Sequence, residues 1–265
     1  MTDIKILIIL KPEFIGLYGE MNVTTFVIEI AGVPAGIKCR FPENQLFFRE
    51  YITDRPPVIT VEPSDEDIDK AQASFYMTDE AHGQPKYRRD AAILENTAIH
   101  GILAEKLLSY GVLLIHGSAL SIDGQAIIFI APSGTGKSTH AGIWRKRFGD
   151  RIRMINDDKP MIRISDGKAA VYGTPWNGKH RLSNNISAPL KAIVKLERDE
   201  INHIAPMKKS DAFPSLVAHA YLSKDPVIME RVLELERQIL NAADFYLLGC
   251  NMTEEAAEVS FNGIM

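Results

Sequence analysis

The chain has 265 residues, 46% of them hydrophobic and 24% charged, the make-up of a globular protein with a real core and not of a disordered tail. Its 30 basic and 34 acidic residues leave a formal charge of -4, so no cationic field draws it to nucleic acid or acidic lipid, and neither partner is expected. The longest apolar runs, residues 6–10 and 126–131, fall well short of the roughly 20 residues of a spanning helix, while Cys39 and Cys250 stand far apart in no metal-ligand spacing, so a soluble, cytoplasmic protein without structural zinc is expected.

The N-terminus, Met1-Thr2-Asp3-Ile4-Lys5, lacks a basic lead and no small-residue cleavage site follows, so residues 4–10 read as a first strand and not as a signal peptide. Further β-type runs at 23–30, 36–40, 45–51 and 58–61 alternate with Gly/Pro turns and lead to the acidic stretch 62–69. This predicts a β-rich N-terminal region over 1–85. The polar segment 79–90, with Gly83 and Pro85, is the boundary candidate, and 86–265 forms the second unit. Residues 92–110 have helical spacing and are stopped by Gly111, after which 112–115 reads as a buried strand.

Asp123-Gly124 is a two-residue turn signal between apolar runs 119–122 and 125–130, and in such a hairpin paired residue numbers sum to 247, so His116 lies opposite Ala131. Asp166-Gly167 does the same between 161–164 and 169–172, with pairs summing to 333. A strand at 190–196 follows, then a helix capped by Asp225 with Pro226 at its first position, a strand at 245–248 and a last helix from Thr253.

Between the hairpins stands Ala131-Pro132-Ser133-Gly134-Thr135-Gly136-Lys137-Ser138, the phosphate-loop pattern with alanine in place of the leading glycine. Gly134 and Gly136 permit the backbone turns that aim successive N–H groups at an anion, and the following helix adds its positive end. Ser133 to Thr139 are thus the candidate nucleotide-binding residues, with Lys137 for the terminal phosphates and Ser138 for magnesium. The bland alternative is a Gly-rich turn before a helix. Asn156-Asp157-Asp158 ends the run 152–155; eleven helical residues advance roughly 16 Å and five strand residues return about as far, so the pair arrives beside the loop. Two carboxylates there divide the work, one holding the metal and one accepting a hydroxyl proton; otherwise they form a solvated turn. His116 is expected at the loop's mouth. Trp176, Lys179, His180 and Arg181 follow the second hairpin on the side of the carboxylates, suited to gripping an acceptor, or forming a basic surface loop. His140 offers either a surface or a base-packing role, and Trp144 and Cys250 read as core.

These residues resemble the HPr kinase/phosphorylase and PEP carboxykinase superfamily over roughly residues 112–200: His116-Gly117, an Asp-Gly hairpin, Pro132 to Thr139, then Asp157-Asp158. The resemblance implies a mixed, largely antiparallel sheet of α/β class around a phosphate-loop core, agreeing with the hairpins. It implies that His116 assists Asp157 as proton acceptor while Asp158 and Ser138 serve Mg2+. Thr139 stands where HPr kinases tend to have an acid, and Tyr172 to Trp176 where their arginine-glycine signature is expected, so the chain looks more like the HPr kinase-like proteins met beside peptide-modification genes. The function expected is an ATP- and magnesium-dependent kinase acting on a hydroxyl of a peptide or protein serine or of a small metabolite, with room for a homo-oligomer. The alternative is a nucleotide-dependent binding or switch module that hydrolyses ATP slowly.

Overall fold

The computed structural model describes residues 23–178 and 180–265; the strand expected at 4–10 and Lys179 lie outside the described residues. Strand β1 (Thr24–Ile30) turns through Ala31-Gly32, both at positive φ (51° and 75°), into antiparallel β2 (Val33–Cys39). Residues 45–51, expected as a strand, instead form helix α1 (Glu43–Phe47) and a 3-10 turn at Arg49–Tyr51. Burial explains the difference. Phe48 and Tyr51, three apart, are buried, while Leu46 and Phe47 stay exposed, and the buried Asn44 amide donates to Ala92 O (3.3 Å) and Glu95 Oε2 (2.8 Å). A tertiary anchor overrides the strand preference of the aromatic residues.

Strand β3 (Ile59–Val61) pairs in parallel with β2. The acidic stretch then begins helix α2 (Asp65–Ala81), because Ser64 and Asp67 cap each other's backbone reciprocally. Residues 23–85 thus hold helices as well as the expected strands. The 85/86 division drawn from the sequence falls in the connection to α3 (Ala91–Leu107), which is held in place: Arg89 meets Asp79 at 2.6 Å, both largely buried, and Gln72 bonds Arg89 N (2.8 Å) and Tyr87 O (3.3 Å). Gly111, at φ 75°, ends the helical stretch. A Cβ there would come within 2.6 Å of Ile164 O.

The rest of the chain builds the main sheet from β4 (Val112–Leu114), β5 (Gly117–Ile122), β6 (Gln125–Ile130), β7 (Ile152–Asp158), β8 (Met161–Ser165), β9 (Lys168–Tyr172), β10 (Ser187–Arg198), β11 (His203–Pro206) and β12 (Asp244–Cys250). Both Asp-Gly hairpins have the predicted register, Ser118 opposite Phe129 and Met161 opposite Tyr172, with both turn residues at positive φ. The order is β4-β8-β9-β10-β6-β5-β7, with β12 also on β10 and β11 on β12; within this sheet β10 pairs in parallel with β6 and β12, and the other pairings are antiparallel. The fold is mixed α/β with a largely antiparallel sheet.

Helices cover both faces. Ile115, Ile128 and Ile193 pack under α5 (Lys209–Val217) and α6 (Pro226–Ala242) through Leu216, Val232 and Ile239, α6 starting at Pro226 with Asp225 as its cap. On the other face Phe129, Met154 and Val194 meet Trp144 of α4 (Lys137–Phe148) and Ala257 of α7 (Glu255–Ile264), which begins two residues after the predicted Thr253. A third cluster joins the N-terminal sheet and α3 to Val112, Leu114, Met161 and Trp176. Each such fully buried aliphatic or aromatic side chain contributes about 1.5–3 kcal/mol. Among the described residues no helix is long and apolar enough to cross a membrane.

Candidate functional site

Segment 131–136 connects the end of β6 to the start of α4. Gly134 and Gly136 adopt φ 78° and 123°, which only glycine takes without strain, and α4 begins with no side-chain cap and no acidic residue in its first turn. Its first N–H groups are therefore left for another acceptor, next to the positive end of the helix dipole. Lys137 Nζ donates to Ala131 O (2.8 Å) and Pro132 O (3.5 Å). Burial above all, and the nearby Lys159 ammonium, pull Lys137 below the usual lysine range, while Asp158 and Asp157 act against that shift.

Strand pairing brings the carboxylates to the loop as the sequence predicts, with Gly117 opposite Asp158 and Ser118 opposite Asp157. A cavity of about 440 Å³ is lined by His116, Ser133, Gly134, Gly136, Lys137, Ser138 and Thr139 together with Asp157, Asp158, Gly178 and His180. Neighbouring strand residues point to opposite sides, so the two carboxylates differ in surroundings. Asp157 is 4% exposed and neither of its oxygens has a hydrogen-bond partner among the described residues, nor has the buried hydroxyl of Ser118 opposite it. Asp158 is half-buried, 3.8 Å from His116 Nε2 and 3.5 Å from Lys159 Nζ. His116 thus stands beside Asp158 and not beside Asp157, contrary to the expected pairing, because residue 116 precedes Gly117, the strand partner of Asp158. Burial first, then the Lys159 and Lys137 ammonium groups, push the His116 imidazole down to about 4 against the pull of Asp158, so it is neutral at pH 7. Its Nδ1 lies 3.1 Å from Lys159 Nζ.

Asn156, fully buried, fixes this end of β7. Its Oδ1 accepts from Asp158 N (2.9 Å) and Lys159 N (2.7 Å), and its Nδ2 donates to Thr174 O (2.9 Å), Thr174 Oγ1 (3.1 Å) and Trp176 O (3.0 Å). These bonds turn the chain after β9, so Asn177, not Trp176, reaches the carboxylates, as the partner of Asp158. Trp176, expected on the acceptor side, points instead into the N-terminal cluster, buried against Phe48 and His100 with its Nε1 on Asn96 Oδ1 (2.8 Å). His180 does line the cavity; Arg181 is exposed, at φ 51°, and not among its lining residues.

Thr135 lines a second cavity of about 560 Å³ together with Gly134, Gly136, Thr139, His140, Ile143, residues 196–200 and 250–252. His140 is buried there, its Nε2 taking the Trp144 indole N–H (3.1 Å), and burial lowers it to about 4. Three residues near the site have no signal in the sequence. Arg198, at the end of β10, donates to Gly134 O (2.7 Å) and Thr135 O (3.4 Å). Lys159 and His219 flank His116, whose N–H donates to His219 O (2.7 Å).

A family model described as SynChlorMet cassette protein ScmC matches residues 84–245. No curated protein matches. Among solved structures the chain is similar to the Hpr(Ser) kinase/phosphatase from Coxiella burnetii, at 10% identity and a TM-score of 0.35, over 57% of this chain and 95% of that one.

Proposed function

The chain belongs to the SynChlorMet cassette protein ScmC family, and from its own residues we propose an ATP- and magnesium-dependent phosphotransferase acting on a hydroxyl. The observation that carries this reading is the shared cavity: the glycine loop, Lys137, Ser138, Asp157 and Asp158 all line one space of about 440 Å³, the Asp157 carboxylate buried with no hydrogen-bond partner among the described residues and the Asp158 carboxylate half-buried. A solvated Asp-Asp turn would leave both carboxylates in water. Instead Asp157 has been taken out of water without a hydrogen-bond donor among the described residues, an arrangement that costs free energy unless a cation completes it.

The nucleotide's phosphates lie along the loop N–H groups and the open start of α4, with Lys137 exchanging its carbonyl acceptors for phosphate oxygens. Asp157 and Ser138 are the donors suited to magnesium, which binds through one or two carboxylates plus substrate phosphates. Among the described residues no group of three or more His, Cys, Asp and Glu forms a metal site, and magnesium held in this way needs none. When bound, it screens charge on the phosphates. The expected roles of the carboxylates are therefore exchanged: Asp158, with the neutral His116 and the Lys159 ammonium beside it, accepts the proton of the attacking hydroxyl. The hydroxyl oxygen bonds to the terminal phosphorus, the bond from phosphorus to the bridging oxygen breaks, and ADP leaves with the electron pair. His180 also lines this cavity.

Calorimetry of Mg-ATP binding tests the reading. Wild type is expected to bind and Lys137→Ala to lose at least tenfold in affinity while keeping its circular dichroism spectrum. Equal affinity in the two proteins overturns it. Tight binding with hydrolysis but no transfer to any alcohol moves the preference to the switch-module reading.

A further inference from the structure

A third cavity of about 340 Å³ is lined by Ala131, Pro132 and Ser133 of the phosphate loop and shares no lining residue with the one that Thr135 lines. His116 and Ser133 line both this cavity and the one holding the two carboxylates, so the two spaces meet at the mouth of the loop. Its far wall is residues 218–221, pinned by backbone bonds from His116 N to His219 O (2.7 Å) and from Tyr221 N to Leu114 O (2.9 Å). That wall is fixed by main-chain pairing rather than by a loose side chain.

The chemistry of the lining is one-sided. It carries the Lys159 ammonium and the imidazoles of His116 and His219, and no carboxylate. The Tyr221 hydroxyl is turned out to Glu105 Oε2 (3.2 Å), leaving its ring as an apolar wall, and His219 Nδ1 is engaged with Ser215 O (2.7 Å), while Nε2 has no hydrogen-bond partner among the described residues. Lys159 Nζ has His116 Nδ1 at 3.1 Å and Asp158 Oδ1 at 3.5 Å, which leaves one ammonium proton unassigned. A volume of this size takes a small molecule and excludes a folded protein segment.

Resting on the phosphotransferase reading, we propose that this cavity seats the acceptor, and that the acceptor is a small alcohol bearing an anionic group, a carboxylate or a phosphate, received by Lys159 while its hydroxyl faces Asp158. Lys159 and Asp158 are only 3.5 Å apart, so the anionic group and the reacting hydroxyl of one small molecule can reach both. In the transfer the hydroxyl oxygen bonds to the terminal phosphorus of the nucleoside triphosphate, its proton passes to Asp158, and the diphosphate leaves with the electrons of the broken bond. The anionic group stays on Lys159 throughout.

Three-carbon alcohols with and without an anionic group test this: glycerol, glycerate and glycerol 3-phosphate, each offered with labelled ATP and magnesium. Wild type is expected to favour the two anionic acceptors over glycerol by about tenfold to a hundredfold in kcat/KM, the range of a hydrogen bond to a charged group, and the comparison of glycerate with glycerol 3-phosphate identifies which anion is preferred. Lys159→Gln should collapse the ratio towards one, and Lys159→Arg should retain it. Glycerol used as well as the anions, or a preference that survives Lys159→Gln, overturns the inference and leaves the kinase reading standing. Should none of the three accept phosphate, their binding is titrated calorimetrically with a non-hydrolysable ATP analogue present, and lack of anion-selective binding sensitive to Lys159→Gln overturns it equally. Failure to bind the nucleotide at all would instead remove the phosphotransferase reading beneath it.

Discussion

Asp157→Asn keeps the shape of the side chain and removes its charge, which gives an unusual expectation: the variant is more stable than wild type without ligand and less so with it. Both Asp157 oxygens are buried without a hydrogen-bond partner among the described residues. Burying a charge in that condition costs more than burying a neutral amide that lacks the same partners, and the difference is about 1–3 kcal/mol. For a chain of this size each 1 kcal/mol moves Tm by about 2–4 °C, so the ligand-free variant should melt roughly 2–12 °C above wild type. With Mg-ATP at a hundredfold excess over its Kd, wild type gains about 2.7 kcal/mol. The variant, having lost the carboxylate that meets the metal, gains less, and the two melting curves should close up or cross. Asp158→Asn is the contrast: its carboxylate already has His116 and Lys159 at hand, so melting should change little, while transfer falls by about two to four orders of magnitude at an unaltered magnesium requirement. Scanning calorimetry at several magnesium concentrations, with transfer rates alongside, reads all of this. An Asp157→Asn protein that melts at or below wild type and needs no more magnesium refutes the reasoning.

Two further expectations concern the scaffold. Glu95, fully buried, accepts from Arg40 N (2.6 Å), Phe41 N (3.1 Å) and Asn44 Nδ2 (2.8 Å), tying α3 to the turn before α1; Glu95→Ala strands these donors and should lower stability by about 3 kcal/mol in urea unfolding, with Glu95→Gln recovering part of it. Glu236, buried in α6 with both oxygens unpartnered, is pushed up by burial from 4.5 to about 7, so the folded state binds its proton more tightly than the unfolded chain does. Stability should therefore decline as pH rises from about 4.5 to about 7 and level off above, and Glu236→Gln should flatten that slope in denaturant titrations at pH 5 and pH 8.

The parts of the molecule that were legible in the sequence are those fixed by a few adjacent residues. Asp-Gly pairs set two hairpin registers, Asp225-Pro226 started α6, and Gly111 ended the helical stretch before β4. Helix and strand lengths sufficed to bring Asp157 and Asp158 back to the loop. What escaped depended on partners far along the chain. The strand expected at 45–51 became helical because Asn44 is held by α3, and Trp176 left the acceptor side because Asn156 captures the backbone of residues 174 and 176. The hairpin sum that holds to Met161 and Tyr172 slips beyond them, so Asn177 rather than Pro175 stands opposite Asp158. Arg198, Lys159 and His219 reach the loop from three separate connections, and no local pattern marks them.

The central position of β10 has a consequence for how the chain reaches this structure. Ile193 pairs with Ile128 on one side and with Phe245 on the other, both in parallel, so neither pairing forms by a local turn. The β5–β6 and β8–β9 hairpins close short loops and can form within microseconds, whereas the two long closures wait on chain diffusion and collapse. Until β10 docks, Ile127, Phe129 and Val194 have no common surface on which to pack. The hairpins therefore form early, and the face that receives α4, with the phosphate loop at its head, becomes solid late, when the strand that follows it by some sixty residues has been threaded between its neighbours.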